Sequence, residues 1–310
     1  MTSSPQGLDG VEPSGTELDE LESLFDGAGQ VPADPLTKPR RTTVIGLAAL
    51  VAGRAGAPTV LLLPGFTGSK EDFLPVLPRL AAAGLRAVAV DQRGQFESAG
   101  DPDLPDSQYG LDALAADVAA AAAELGGPLH LVGHSFGGLV SRAALLAYPE
   151  ALASVTFLSS GPAAISGLRG LALRALFALY QQGGLPAVWE AAKALDASLL
   201  PPADAAFQRR RFFANSDRAL LVAGQILLDE PDRVREAAAV AAANAVPLLV
   251  THGAGDDAWL APVQADMATR LGARYRVIPD ALHSPAVQNP AGTAEALSTF
   301  VRDAVASAAV

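Results

Sequence analysis

The chain has 310 residues, half of them apolar, which is enough for one large core or two modest domains and far too apolar for a disordered regulator. Its 22 basic and 33 acidic residues leave a net charge of −11, which argues against a nucleic-acid groove or an anionic membrane surface as the main partner. With no cysteine, disulfides, thiolate nucleophiles and the usual structural zinc sites are excluded, and 4 histidines leave little material for a histidine-built metal centre.

The first residues lack the basic start and apolar stretch of a secretory signal, and every later uncharged run is broken by Gly, Pro, Ser or Asn. The expectation is a soluble, unexported protein with no membrane span, and the missing cysteines fit the cytoplasm. Residues 1–37 carry eight acids and no base, so the remainder is nearly neutral. Within this tail Leu18, Leu21, Leu24 and Phe25 fall at helical spacing, but residues 1–39 read as a solvated acidic segment outside the core.

Beyond the tail, short β-branched or leucine-rich runs alternate with alanine-rich amphipathic stretches, the pattern of a mostly parallel sheet covered by helices. Thr42–Arg54 predicts an antiparallel hairpin at one edge. Strands are expected at Pro58–Leu63, Arg86–Asp91, Leu129–His134, Ser154–Leu158, Val246–Thr251 and Tyr275–Pro279. Helices are expected at Ser69–Ala83, Leu111–Leu125, Phe136–Tyr148, Val263–Leu271 and Ala291–Val305. Gly161–Ala245 shows no strand, only helical pieces separated by Gly-Gly, Pro-Pro and Glu-Pro, so a core of 40–160 and 246–310 carries a helical insertion at 161–245. Phe177, Tyr180, Trp189, Phe207, Phe212 and Phe213 fall in it and either pack a small subdomain or line a substrate pocket. The run Arg209-Arg210-Arg211 reads as a solvated face.

The strongest motif is Gly133-x-Ser135-x-Gly137, with an apolar strand before it and a helical stretch after it. A serine at such a strand-to-helix turn has strained backbone and an exposed hydroxyl, and glycines are needed where side chains would strike neighbouring backbone. A serine nucleophile needs a base and the base an orienting group. Among the histidines, His130 begins the elbow strand, His134 projects elsewhere, and His252 ends a strand; His283, in a loop after the last strand, is the best base. Val250–Asp257 ends a strand in a Gly-rich turn with two carboxylates, of which Asp256 is the chosen partner and Asp257 a turn residue. The order Ser135, Asp256, His283 is that of an elbow-type hydrolase.

From Arg40 onward the chain resembles an α/β-hydrolase fold protein with a helical cap: Leu62–Gly68 is similar to the family's oxyanion loop, Asp91-Gln-Arg-Gly94 to the loop after its next strand, and Gly253-x-x-Asp256 to its acid turn. The resemblance implies an oxyanion hole from the backbone N–H groups of Phe66 and Phe136, and no cofactor or metal. Two departures stand out: Pro64-Gly65 replaces the family's frequent His-Gly, and Phe96 sits where a second glycine is usual. The implied reaction is transfer of an acyl group from a small-molecule ester to water; the serine disfavours the epoxide hydrolase and haloalkane dehalogenase branches, which the resemblance says use an aspartate. A lactonase, amidase or iminopeptidase, carbon–carbon bond hydrolase, acyltransferase or perhydrolase would share these residues, and a non-catalytic binding protein of this fold is the alternative of a different class.

Overall fold

The computed structural model describes residues 36–196 and 202–308. Leu18, Leu21, Leu24 and Phe25 lie outside them. Eight strands form one sheet: β1 (Arg40–Val44), β2 (Leu47–Ala52), β3 (Thr59–Leu63), β4 (Arg86–Val90), β5 (Leu129–His134), β6 (Leu152–Leu158), β7 (Leu248–Gly253) and β8 (Arg274–Ile278). Their order is β1-β2-β4-β3-β5-β6-β7-β8, with β1 and β2 antiparallel at one edge and every pair from β4 onward parallel. The edge hairpin turns at Ile45 and Gly46, both at positive φ (50° and 79°), the two-residue geometry whose twist matches the strands.

Alternation along the strands feeds two cores. Val60, Leu62 and Val132 face one side, with Leu77 and Leu80 of α1 (Leu77–Ala82) and Leu297 and Val301 from near the C-terminus. Leu61, Leu63, Leu131 and Val155 face the other, with α2 (Leu111–Leu125) and α3 (Phe136–Ala147). Covering both faces explains why the central strands read as continuous apolar runs.

The expected helix at Ser69–Ala83 divides into a short turn, Lys70–Phe73, and α1. Pro75 and Pro78 cause the division, since neither can donate within a helix and Pro78 is tolerated only in the first turn of α1. Leu36 and Thr37 also depart from the tail reading: the Leu36 carbonyl accepts the Gly53 N–H at 2.7 Å, and Thr37 is buried.

Between β6 and β7 run α4 (Gly167–Asp196), α5 (Pro202–Ala214), α6 (Asp217–Asp229) and α7 (Val234–Ala243). Gly183 and Gly184 break α4 in two, with Gly184 at φ 63°. Inside this expected insertion α7 behaves differently: Val234, Ala237 and Ala241, one apolar stripe, join the core against the sheet. The chain closes with α8 (Ala261–Leu271), a single turn α9 (Pro285–Gln288) and α10 (Pro290–Ala308).

Loop Asp91–Ser98 joins sheet and insertion. Phe96 takes φ 35°, the conformation that makes glycine usual at this place. Its N–H donates to Asn215 Oδ1 at 3.2 Å, its ring packs edge-on against Phe207 of α5 at 5.9 Å, and the Lys70 ammonium lies 4.9 Å from its centroid. That ammonium is itself buried among Glu71, Asp91 and Glu97, each 2.8 Å away. Phe96 thus holds a strained backbone in return for the ring's packing. Losing the ring should cost about 3 kcal/mol. Because alanine keeps a Cβ at positive φ, Phe96→Gly is expected to be more stable than Phe96→Ala by about 1 kcal/mol, read by thermal unfolding. The reverse ranking would mean that this φ carries no strain.

Candidate active site

Three strand ends meet at the carboxyl edge of the sheet, around the point where the order reverses between β3 and β5. Ser135 ends β5 and caps α3 at φ 53°, ψ −116°, outside the ordinary regions for a side-chain-bearing residue. Its N–H donates to the Leu158 carbonyl at 2.9 Å, and Ser160 Oγ donates to its carbonyl at 2.8 Å. The motif's glycines are required by close approach: a Cβ on Gly133 would lie 2.1 Å from the Gly137 carbonyl oxygen, and one on Gly137 2.5 Å from that of Leu63.

Ser135 Oγ–H donates to His283 Nε2 at 3.1 Å, and His283 Nδ1–H donates to Asp256 Oδ1 at 2.9 Å. The three sequence-predicted residues are therefore one hydrogen-bonded chain. Asp257 is excluded from it: its carboxylate is exposed and pairs with Arg169 of α4 at 2.9 Å. The acid turn and the histidine loop are zipped together by Ala254 N–H to the Ile278 carbonyl and Gly255 N–H to that of Ala281, both 2.9 Å. A Cβ on Gly253 would meet the Leu282 carbonyl oxygen at 2.0 Å, which accounts for glycine there.

Two further residues hold the chain in place. Gln264 of α8, fully buried, donates to Asp256 Oδ2 at 2.9 Å, while Ala258 N–H donates to Oδ1 at 3.0 Å. Burial alone would raise the Asp256 carboxyl, but the hydrogen bond and charge of His283, with these donors, hold it below the usual carboxylate range. His134 does not project away as expected. Its Nε2–H donates to the His283 carbonyl at 2.8 Å, and burial, then the neighbouring His283, lowers its pKa to about 4, so it is a neutral brace and not a second base. Nothing in the spacing marks Gln264; His134 had one signal, its place between Gly133 and Ser135.

His130 bonds Ser154 Oγ at 2.9 Å and is lowered to about 4 by burial. His252 donates from Nδ1 to the Gly253 carbonyl and accepts the Tyr275 hydroxyl at Nε2, both at 2.7 Å.

The N–H of Phe136 is the first of α3 and has no intrahelical acceptor; the Phe66 N–H is also without a protein acceptor among the described residues. Gly65 adjoins Ser135, since a Cβ there would lie 3.2 Å from the serine Cβ. The Gly65–Phe66 peptide and the start of α3 thus both lie beside Ser135. Above them opens a cavity of about 720 Å³ whose walls include Phe66, Phe177, Tyr180, Trp189, Phe212 and Leu220. Of the insertion's aromatics Phe177, Tyr180, Trp189 and Phe212 line the cavity, while Phe207 and Phe213 pack. Arg211 is no solvated residue: it is buried and binds Asp72 and Ser69 Oγ, tying α5 to the segment that follows β3. Among the described residues no cluster of three or more potential metal ligands occurs, and no helix is long and apolar enough to cross a membrane.

A model of the Alpha/beta hydrolase family matches residues 60–296. The chain belongs to that family. It is 37% identical over 111 residues to the Variovorax paradoxus (strain S110) protein named "Putative carbamate hydrolase RutD", a match covering 36% of this chain and 41% of that one. It is 34% identical over 104 residues to "Bifunctional epoxide hydrolase 2" of Sus scrofa, covering 33% of this chain and 18% of that protein. The matches thus span less than half of either curated relative. Among solved structures, E-2-(acetamidomethylene)succinate hydrolase is similar at 25% identity and a TM-score of 0.63, over 85% of this chain and 98% of that chain.

Two measurements test this α/β-hydrolase family member's site. Asp256→Asn is expected to lower turnover on the order of a hundredfold or more and Asp257→Asn by less than about tenfold, because only the first orients and stabilises an imidazolium; the reverse order on one ester would transfer the role. His130 and His134 are each lowered from 6.5 to about 4, so they take up protons on unfolding between those values. The unfolded chain binds more protons at these two positions in that window; Asp91, raised to about 6 by burial, loses its proton on unfolding there and offsets part of this, so the melting temperature should still fall as pH drops from 6.5 toward 4. A flat profile there would remove both histidines from the buried neutral state.

Proposed function

We propose that this protein hydrolyses a carboxylic ester without negative charge through an acyl-serine intermediate. The observation that carries the reading is the unbroken hydrogen-bond chain Ser135, His283, Asp256 at the floor of an apolar cavity. His283 Nε2 takes the Ser135 proton as Oγ attacks the ester carbonyl carbon. The resulting oxyanion is stabilised by the N–H groups of Phe66 and Phe136 and by the positive end of α3. Collapse breaks the bond to the leaving oxygen, which receives the proton from His283; His283 then deprotonates a water that attacks the acyl-serine, and the second collapse releases the acid and returns the proton to Ser135.

Helices α4 to α6 act as the cap on the α/β core. A substrate without negative charge is supported by the charges along the cavity: Arg169 pairs with Asp257 and Arg211 with Asp72, while the Asp217 carboxylate accepts only from the neutral Tyr180 hydroxyl at 3.0 Å and keeps its charge. An anionic acyl or alcohol group would have to break one of the arginine pairs or face the Asp217 carboxylate. A carbamate carbonyl, the substrate type in the Variovorax protein's name, would meet the same groups and belongs in the same assay panel. Epoxide opening, in the Sus scrofa protein's name, is not favoured, because the nucleophile position holds Ser135.

Ser135→Ala is expected to abolish fluorophosphonate labelling and ester turnover with little change in melting temperature; a folded variant with full turnover would refute the mechanism. His283→Gln is expected to abolish turnover while the protein still folds, because the group that accepts the Ser135 proton is lost. Near-normal turnover by the folded variant would require another base.

A further inference from the structure

We propose that Gln95 is a positioning residue that aims the Phe66 N–H at the oxyanion by gripping the other side of the same peptide group; the inference rests on the acyl-serine reading. A peptide unit is planar, so the carbonyl of Gly65 and the N–H of Phe66 are fixed in one plane and point in opposite directions. Gln95 Nε2 donates to the Gly65 carbonyl at 2.7 Å, in a buried setting. Holding that oxygen sets the direction of the N–H across the plane. It also polarises the amide, which makes the N–H a stronger donor.

The contact is built rather than incidental. Gln95 Oε1 accepts the backbone N–H of Gln92 at 3.0 Å, so a flipped amide would set donor against donor and carbonyl against carbonyl. Gln92 repeats the device one peptide earlier, its Nε2 donating to the Pro64 carbonyl at 3.0 Å. Both glutamines are buried, at 4% and 6% exposure, where a long polar side chain is kept only by its partners. The Gly65 carbonyl also accepts the Gly68 N–H at 3.2 Å, but that bond lies within the loop's own turn and cannot orient the turn against Ser135. The glutamines instead tie the Pro64 and Gly65 carbonyls to the loop at the end of β4, beside the bond from Lys70 N–H to Asp91 Oδ1 at 2.7 Å. Their loop is in turn fastened to the insertion, through Phe96 N–H to Asn215 and Ser216 N–H to the Gly94 carbonyl at 2.8 Å. The side chains of Gln92 and Gln95 therefore give the Asp91–Ser98 loop, with its unusual Phe96, a part in the chemistry.

The test compares the full-length protein with Gln95→Met, which keeps length and loses the donor. Four quantities are read: kcat and KM on p-nitrophenyl butyrate, inhibition by a trifluoromethyl ketone whose serine adduct carries the oxyanion, and inhibition by the matching methyl ketone. Removing an oxyanion donor outright costs about a hundred- to a thousandfold, so misaiming one should cost about ten- to a hundredfold in kcat. The trifluoromethyl ketone should weaken by a similar factor, while KM and the methyl ketone change less than about threefold. Folded Gln95→Met with kcat and trifluoromethyl ketone affinity within about threefold of the parent would overturn the proposal. So would an equal loss for both ketones, which is the mark of a general loosening of the pocket. Gln95→Asn, whose amide is one methylene too short, carries the same expectations if the methionine variant does not fold. Failure of the underlying reading is separately visible, since the unaltered protein would then resist the fluorophosphonate and the trifluoromethyl ketone alike.

Discussion

The site depends on one close approach, the packing of the turn after β5 onto the start of α3. Cβ atoms at Gly133, Gly137 and Gly138 would come within 2.1 to 2.5 Å of Gly137, Leu63 and Ser160 atoms, so the turn exists only because those side chains are missing. The register then follows: Leu63 of β3 lies opposite Gly133, and His134 opposite Leu158 of β6. Ser135 is left at a strained φ, ψ whose cost, of order 1–3 kcal/mol, is met by hydrogen bonds to Leu158 and Ser160 from the next strand. Strain, exposure of the hydroxyl and the open N–H groups of α3 are thus one geometric event.

Around this rigid centre the other groups are held by saturation. Asp256 receives donors on both oxygens, so its carboxylate does not rotate between partners, and His283 is fixed by its ring and, through His134, by its backbone carbonyl. Hydrogen bonds to an ionised acceptor are strong when water is excluded, which is why these partners are buried while Asp257, in solvent, does nothing comparable. The proton path is set before any substrate arrives.

Much of this was legible in the sequence because it is local. Apolar runs bounded by turns mark the strands, and Gly-x-Ser-x-Gly with its flanks marks the elbow. The departures come from non-local partners or from proline. Ser69–Ala83 kept a helical period in its apolar residues while Pro75 interrupted its hydrogen bonds. Arg211 looked like its exposed neighbours Arg209 and Arg210 until Asp72, 139 residues away, supplied a carboxylate. Gln264 and Gln95 carry no sequence signal, since an isolated glutamine reads as surface, and only the fold delivers the buried acceptors that give them work. Phe96 was visible as an oddity, and its explanation required Phe207 and Asn215 from the insertion.

The insertion leaves and rejoins the sheet between two strands that pair without interruption, Val155 to Leu158 of β6 with Leu248 to Thr251 of β7. Exchange of α4 to α6 for other helices would therefore leave strand pairing untouched but alter the wall above Ser135 and the contacts of Arg211, Asn215 and Ser216 with the loops beneath it. Substrate preference can thus change within one stretch of chain while the strands that carry Ser135 and Asp256 keep their pairing. The break at Gly183–Gly184 divides that stretch into two pieces that still share one apolar cluster, Leu176 and Leu179 on one side with Leu185 and Val188 on the other, so a change in either piece is felt by both.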